Sequence, residues 1–390
     1  MIEGKESKSF KGTLKYGMVG GGRDSFIGDV HRKAAKFDGK MELIAGCFSR
    51  SYENTLETGV GLGLTKDRLY QDYTEMAVKE SQREDCIDFV SIVTPNYAHY
   101  SAAKAFLEHG ISVVCEKPLT IELDEAEELA KLAKKNGLLF CVSYSYTGYP
   151  MVKHAREMVK NGDIGEIRMV MGEYPQDWLA TPLEKEGQKQ AAWRTDPKIS
   201  GKSNCNGDIG SHIENVVSYI SGLEIESLAA KLDILGEERE LDTNASIMLK
   251  YTNGATGLYW SSQVAIGYDN GLKIRIFGTK GSIEWEQESC NYLKVTYLGG
   301  PVQTLSRGRD ELYPLGGDLS RIPAGHPEGY NEAFANIYSN FANALFAMKE
   351  GKEVDNEKFD YPSLADGIRG VKFIGKSVES SESGASWVTF

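Results

Sequence analysis

Short apolar runs and helical patterns alternate along the first third of the chain. Residues 14–19 (Leu-Lys-Tyr-Gly-Met-Val) read as a strand that runs into Gly20-Gly21-Gly22, and a helical pattern follows through His31, Ala34, Ala35 and Phe37. Residues 41–48 predict a second strand and 73–81 a helix. Residues 87–93 form a nearly continuous apolar run, broken by Asp88 and Ser91, as expected of a strand covered on both faces. After Thr94-Pro95-Asn96 a helix extends to about His109, and the β-branched run 111–114 predicts another buried strand. Residues 123–135 are amphipathic, with Glu122 and Asp124 at the start and Lys131, Lys134 and Lys135 at the end, the order the helix dipole favours. Residues 138–144 close the series with a further strand. Strands alternating with helices predict a doubly wound parallel sheet.

From Tyr144 the pattern changes. A helix (151–160) and a strand (167–174) lead into a long polar stretch, 176–206, which holds Trp178, Gln190, Trp193 and Arg194. A stretch of that length is functional or disordered, and two tryptophans argue against disorder. Gly207 to His212 opens a helix that reaches about Ser221. Strands then dominate. Residues 245–251 and 255–263 flank Asn253-Gly254, a hairpin signal, and 272–276, 282–286 and 292–298 continue an antiparallel meander. A loop at 321–330 precedes a helix at 331–348; a helix at 361–379 and an apolar end at 387–390 complete the chain. Two domains are predicted: 1–143, an α/β unit of Rossmann type, and 144–390, an α/β unit with a large open, mostly antiparallel sheet. Such a sheet offers a surface for a homo-oligomer.

Composition narrows the function. The chain has 390 residues and a net charge of -12, which argues against a nucleic acid or an anionic membrane as partner. Its six cysteines contain no CxxC pair, so neither a disulfide framework nor a zinc site is expected, and no metal is assigned. The polar start and the lack of a membrane-length apolar run predict a cytoplasmic protein.

Three stretches carry candidate chemistry. Strand, glycine turn and helix is the context for pyrophosphate binding, although residues 23–26 look like an insertion before Gly28. At the end of the second strand Ser49 and Arg50 stand where a NAD site places a carboxylate; a hydroxyl and a guanidinium tilt the expectation from NAD toward NADP. Lys117, in Cys115-Glu116-Lys117-Pro118, falls just past the carboxyl end of a strand, where open parallel sheets bind ligands. Alone it is equally a surface lysine at a turn. Asp208 and His212 are four apart, so on a helix they share a face. They suit a general acid/base pair, or else a helix cap and its structural partner.

Taken in order, the glycine turn, Thr94-Pro95-Asn96 with His99, Glu116-Lys117-Pro118, Trp193-Arg194, and Asp208 with His212 resemble the Gfo/Idh/MocA oxidoreductase family over nearly the whole chain. That resemblance implies a Rossmann domain followed by an open-sheet α/β domain. It implies NAD or NADP on Gly20, Gly22 and Gly28, with Thr94, Asn96, His99 and Glu116 toward the nicotinamide half. Lys117 would contact the reacting hydroxyl, and His212, positioned by Asp208, would move its proton. Tyr146, Trp193, Arg194 and His326 would line a pocket for a sugar, glycoside or inositol. A redox-neutral enzyme that retains its cofactor and a non-catalytic dinucleotide-binding regulator are the alternatives on the same fold.

Overall fold

A computed structural model of the chain describes residues 12–23 and 25–390. The first sheet is built from β1 (Leu14–Gly20), β2 (Met41–Cys47), β3 (Phe89–Val93), β4 (Ser112–Cys115) and β5 (Phe140–Val142), in the order β2-β1-β3-β4-β5. All its pairings are parallel. Helices α1 (Phe26–Phe37), α2 (Tyr52–Gly61), α3 (Tyr73–Ser81), α4 (His99–Glu108) and α5 (Leu123–Asn136) connect the strands. β3 and β4 are buried at every position, which is why they read as unbroken apolar runs. Helix α2 escapes a pattern reading because its buried residues are Thr55 and Gly59, so no apolar stripe marks it.

Alternate residues of this sheet face two helix layers. Val19, Val90, Ile92 and Val113 pack with Ala102 and Phe106 of α4 and Leu129 of α5. Tyr16, Met18, Phe89 and Val114 pack with Val30 and Ala34 of α1. The rest of that second layer comes from far along the chain, as described below.

The remaining elements are α6 (Pro150–Lys160), β6 (Ile167–Pro175), α7 (Lys189–Arg194), α8 (Pro197–Ser200), α9 (Ser211–Ser221), β7 (Ile225–Asp233), β8 (Asn244–Tyr251), β9 (Thr256–Ser262), β10 (Lys273–Gly278), β11 (Gly281–Glu286), β12 (Tyr292–Tyr297), β13 (Val302–Ser306), α10 (Pro314–Gly317), α11 (Tyr330–Lys349), α12 (Asn356–Phe359), α13 (Leu364–Glu382) and β14 (Val388–Thr389). Nine strands form one sheet, β13-β12-β11-β10-β6-β9-β8-β7-β14. Every pairing in it is antiparallel except β6 with β9. β7 and β13 lack a sequence signal: Leu228, Ala229 and Ala230 interrupt alternation in β7, and β13 is an almost fully exposed edge. The stretch expected as one long loop contains α7 and α8, each opened by a capping side chain, Gln188 and Asp196.

Helix α11 does not pack only on the sheet that follows β5. Its Phe334, Ile337, Tyr338, Phe341 and Leu345 lie against Tyr16, Met18, Phe89 and Val114, beside α1. The backbone N–H of Val142 donates to the carbonyl of Pro362, just before α13. The carboxyl ends of β1, β3 and β4 therefore open toward elements from the second half of the chain.

Candidate active site

Ser143 N–H donates to the Cys115 carbonyl, and Glu116 N–H donates to that of Ile92. These bonds carry Glu116 one residue past β4 as an extension of the sheet. The Lys117–Pro118 peptide is cis. The Lys117 ammonium, largely buried, donates to Asp208 Oδ1 and to the Asp208 backbone carbonyl, both at 2.8 Å.

Asp208 belongs to a π turn, Asn206–Gly210, that precedes α9. The wider turn is a recurrent feature of functional helix ends. The Asp208 carboxylate also accepts from Arg194 Nε at 3.1 Å and from Gln263 Nε2 at 3.0 Å. Burial pushes this carboxyl up, but Arg194 and Lys117 outweigh it and hold it well below the usual carboxylate range. Arg194 is itself stacked 4.3 Å over the Trp193 ring, and Gln190 accepts from both residues.

His212 is close by, but not in the expected arrangement. Both Asp208 oxygens are bonded to other groups, and His212 Nδ1 is buried without a hydrogen-bond partner. The pairing of Asp208 with the His212 ring, as expected from their four-residue spacing, is corrected here: the π turn replaces the regular α turn and Asp208 is committed to cations. Tyrosines fix the ring instead. Tyr146 lies edge-on with its ring centroid 4.7 Å away, and Tyr144 does the same at 5.7 Å. Burial first, then the Lys117 charge, push the His212 imidazole well below its ordinary pKa, so it is neutral at neutral pH.

An uncharged wall adjoins the ring. Tyr146 and Tyr174 bond hydroxyl to hydroxyl, and Tyr174 donates to Asn270 Oδ1 at 2.7 Å. Gln176 donates to the same oxygen at 2.7 Å, while Asn270 Nδ2 donates to Gln287 Oε1 at 3.1 Å. Gln287 in turn donates to the Tyr149 hydroxyl at 3.2 Å. Tyr174, Gln263, Asn270 and Gln287 are not singled out by sequence. They sit on three segments, β6, the β9–β10 connection and the turn after β11, and no motif spacing links them.

The structure places the other predicted residues unevenly. Gly20 has φ +81°, and a Cβ there would lie 2.9 Å from the Val93 carbonyl. A Cβ on Gly28 would lie 2.4 Å from the Gly21 Cα, so α1 closes onto the turn only with glycine at both positions. Gly21, not among the predicted set, is thus as constrained as Gly28. Gly22 N–H is taken by the Phe48 carbonyl, and Ser25 caps α1 through the N–H of Gly28. The first-turn amides of Phe26 and Ile27 are left without intrahelical acceptors. Ser49 accepts from Ser51 N–H at the entry to α2, and Arg50 is exposed.

Thr94 packs against the glycine turn, and its hydroxyl is buried without a partner. Together with the glycine cradle and the helix start, this orphaned group fits a dinucleotide along the edge. Asn96 donates to the Ser200 carbonyl at 3.0 Å and so ties α8 to this edge. His99 does not offer a free group: its nitrogens meet the carbonyls of Pro118 and Thr94, both at 2.8 Å, so it braces the two turns and is corrected from ligand to support. His326 is exposed and its ring Nδ1 meets the Pro323 carbonyl of its own loop, so it is removed from the predicted pocket. Among the described residues no group of His, Cys, Asp and Glu forms a metal site.

Glu116 is almost fully buried. His31 Nε2 and the Ser143 hydroxyl meet Oε1 at 2.7 and 2.6 Å, and Lys117 N–H donates to Oε2 at 3.1 Å. Burial pushes its pKa up, but His31, through its hydrogen bond and its charge, together with the Lys117 charge and the Ser143 hydrogen bond, outweighs burial and brings it down from 4.5 to about 2. A depressed carboxylate contributes stability that is complete above the unfolded pKa and is lost as pH falls through the folded one. Glu116→Gln is therefore expected to cost roughly 1–3 kcal/mol at pH 7. The gap between the two proteins should narrow between about pH 4.5 and 2, as denaturant melts across that window would show.

This is the fold and edge of a nucleotide-binding oxidoreductase, and comparison with known proteins agrees. The family model described as "Oxidoreductase family, NAD-binding Rossmann fold" matches residues 14–144, and that of the "GFO/IDH/MocA C-terminal domain" matches residues 152–284. Oxidoreductase YfiI of Bacillus subtilis (strain 168) is 38% identical over 387 residues, 97% of each chain. Levoglucosan dehydrogenase of Pseudarthrobacter phenanthrenivorans is 30% identical, covering 77% of this chain and 80% of its own. The crystal structure of an inositol dehydrogenase homologue from Azotobacter vinelandii, complexed with NADH and myo-inositol, superposes with a TM-score of 0.91 at 37% identity, covering 97% of this chain and 98% of that one. The chain belongs to the Gfo/Idh/MocA family and is an NAD-binding oxidoreductase.

Proposed function

We propose that this protein oxidises a secondary ring hydroxyl of a sugar, of a glycoside, such as a glucoside at C3, or of inositol. The observation that carries the reading is the Lys117 ammonium fixed at 2.8 Å by Asp208 in the same cluster as a neutral His212 ring. Lys117 stabilises the oxyanion as it develops, and the imidazole takes the hydroxyl proton. The nicotinamide, when bound, accepts the hydride. Asp208 holds Lys117 in place, and its charge offsets only part of the depression of the His212 pKa. The tyrosine and amide wall suits an uncharged polyol, and Arg194, stacked on Trp193, adds a charged donor at Asp208. Residues 1–143 carry the nucleotide and 144–390 carry the substrate wall. The family relatives named above, one complexed with NADH and myo-inositol and one a levoglucosan dehydrogenase, support this class of substrate.

Three finer features follow. Arg50 is exposed at the end of β2 beside Ser49, and this pair favours admitting the 2′-phosphate of NADP as well as NAD. Met169, Met248 and Leu258 are exposed together on the outer face of the second sheet, the surface a dimer or tetramer would cover. All six cysteines are unpaired, which suits the reducing cytoplasm; among the described residues no helix is long and apolar enough to cross a membrane.

A panel of sugars, glycosides and inositols, read at the absorbance of the reduced cofactor with NAD and NADP in parallel, tests the reading. One uncharged ring polyol should give repeated turnover. Nucleotide binding without oxidation of any member would replace it with a regulatory role.

A further inference from the structure

The aromatic cluster around His212 has a member that the reaction scheme does not use. Tyr330 is the first residue of α11, and its ring centroid lies 6.4 Å from that of Tyr146. Four other tyrosines of this cluster are enclosed. Tyr146, Tyr149 and Tyr174 are buried, and their hydroxyls are taken up within the wall described above. Tyr144 is buried too, and its hydroxyl is directed at α13, where a Cβ on Gly370 would lie 2.1 Å from it. Of these five, Tyr330 is the one that stays half-buried.

Its surroundings are those of a cleft wall. Burial, then the neighbouring Tyr146 and Glu116, push its phenol well above the ordinary value, so protein atoms crowd the hydroxyl although the residue keeps a way to solvent. A hydrogen bond from Ser145 acts in the other direction, which is the effect of a donor on the phenol oxygen; the phenol's own hydrogen is left to be given elsewhere. The mount is rigid. Helix α11 approaches the turn Ser145–Gly148 so closely that a Cβ on Gly148 would lie 2.1 Å from the Ala333 carbonyl. Asn336 donates to the Gly148 carbonyl at 2.8 Å, and Gly329 N–H donates to Glu332 at 2.8 Å in the first turn. Phe334, one turn on, lies edge-on to the Tyr330 ring at 5.1 Å.

We propose that Tyr330 is a specificity-determining residue: its hydroxyl donates to a second hydroxyl of the ring polyol, one that is not oxidised, and selects substrates that carry it. The physical need is orientation. Lys117 holds the reacting hydroxyl at one point, and a ring held at one point can still present several carbons to the nicotinamide. A second polar contact from a fixed phenol defines which carbon faces it. The enclosed tyrosines serve this poorly, because their hydroxyls are bonded to one another and to the amides or turned away. Tyr330 lies beside both Glu116, at the sheet edge, and Tyr146, in the wall, so a ring between the two halves of the site meets it. The inference rests on the function proposed above.

The test is steady-state kinetics of the full chain and two variants on myo-inositol and its monodeoxy derivatives, or on methyl β-glucoside and its own if the panel above shows the glucoside to be the substrate. Tyr330→Phe is expected to raise KM for the intact polyol about five- to tenfold, the range of one uncharged hydrogen bond. Its kcat should stay within about twofold, as should the dissociation constant of NADH, because the contact is made equally before and during hydride transfer. The signature is a loss of additivity. At one ring position, removing the hydroxyl should cost the parent protein a similar factor and cost Tyr330→Phe nothing further. At the other positions that still react, the two losses should multiply. Tyr149→Phe alters an enclosed phenol, and its losses should multiply at every position. The proposal falls if Tyr330→Phe multiplies at every position too, if its KM stays within about twofold of the parent, or if Tyr149→Phe shows the same coupling. It falls as well if Tyr330→Phe weakens NADH and polyol alike, which would make Tyr330 a packing residue between the two cores. If the parent oxidises no member of the panel, the function proposed above is wrong and this contact goes with it. Turnover without coupling removes only the contact.

Discussion

Lys117→Met is expected to lower kcat/KM for a ring-hydroxyl substrate by about 10³-fold, the cost typical of removing a preorganised donor to a developing oxyanion. Methionine retains the length and apolar character of the buried stem, so the change is confined to the ammonium. Asp208 is not stranded by it, because Arg194 and Gln263 still bond its Oδ2. The loss should therefore appear in kcat at saturating polyol, while the thermal midpoint stays close to that of the parent and dinucleotide still binds. Steady-state kinetics beside a thermal melt make the separation. Activity within fivefold of the parent in a folded variant would mean that Lys117 serves only to tie the π turn to β4. Arg194→Met gives a useful contrast. It removes the other cation on Asp208 and leaves Lys117 in place, so a much smaller effect on kcat is expected.

The alternation of strands and helices through residue 144 was legible because each strand between two helix layers must be apolar throughout. Residues 73–81, expected as a helix, are one, because Asp72 caps the segment and Met76 and Ala77 sit on its buried face. Lys117 could be placed at a ligand edge for a similarly local reason, a β-branched strand ending at a proline. What could not be read depends on chain segments meeting from afar. Nothing near Phe334 or Tyr338 indicates that α11 covers the first sheet as well as meeting the second core. Gln263, Asn270 and Gln287 are ordinary polar residues until the fold brings Gln263 to Asp208, Asn270 to Tyr174 and Gln287 to Tyr149. The Asp208–His212 spacing misled for a definite reason. A four-residue interval pairs side chains only on a regular α-helix, and Asn206–Gly210 is a π turn. His99 and His326 show the same limit, since histidines in turns look alike in sequence whether both nitrogens are occupied or one faces water.

The second large effect concerns His212. His212→Ala is expected to lower kcat by about 10²–10⁴, the range for losing a positioned acid/base. The pH profile should identify the group. Burial and then Lys117 depress its pKa well below 6.5, and the neutral ring is the active form. The kcat/KM of the parent should thus hold steady through neutral pH and fall only at more acid values. Two variants then separate the causes. In His212→Ala the acid limb due to this group should vanish from the residual activity. In Lys117→Met the remaining activity should show a limb shifted upward, because a positive charge that opposed protonation has gone while burial remains. The shift should be partial, since burial is the larger cause. A limb that does not move when Lys117 loses its charge would mean that another group controls the profile. Tyr174 could then take the acid/base role, through the hydroxyl pair it forms with Tyr146 beside the ring. An acid limb unchanged in His212→Ala would point the same way, and the phenol variants Tyr146→Phe and Tyr174→Phe would then carry the large loss in kcat.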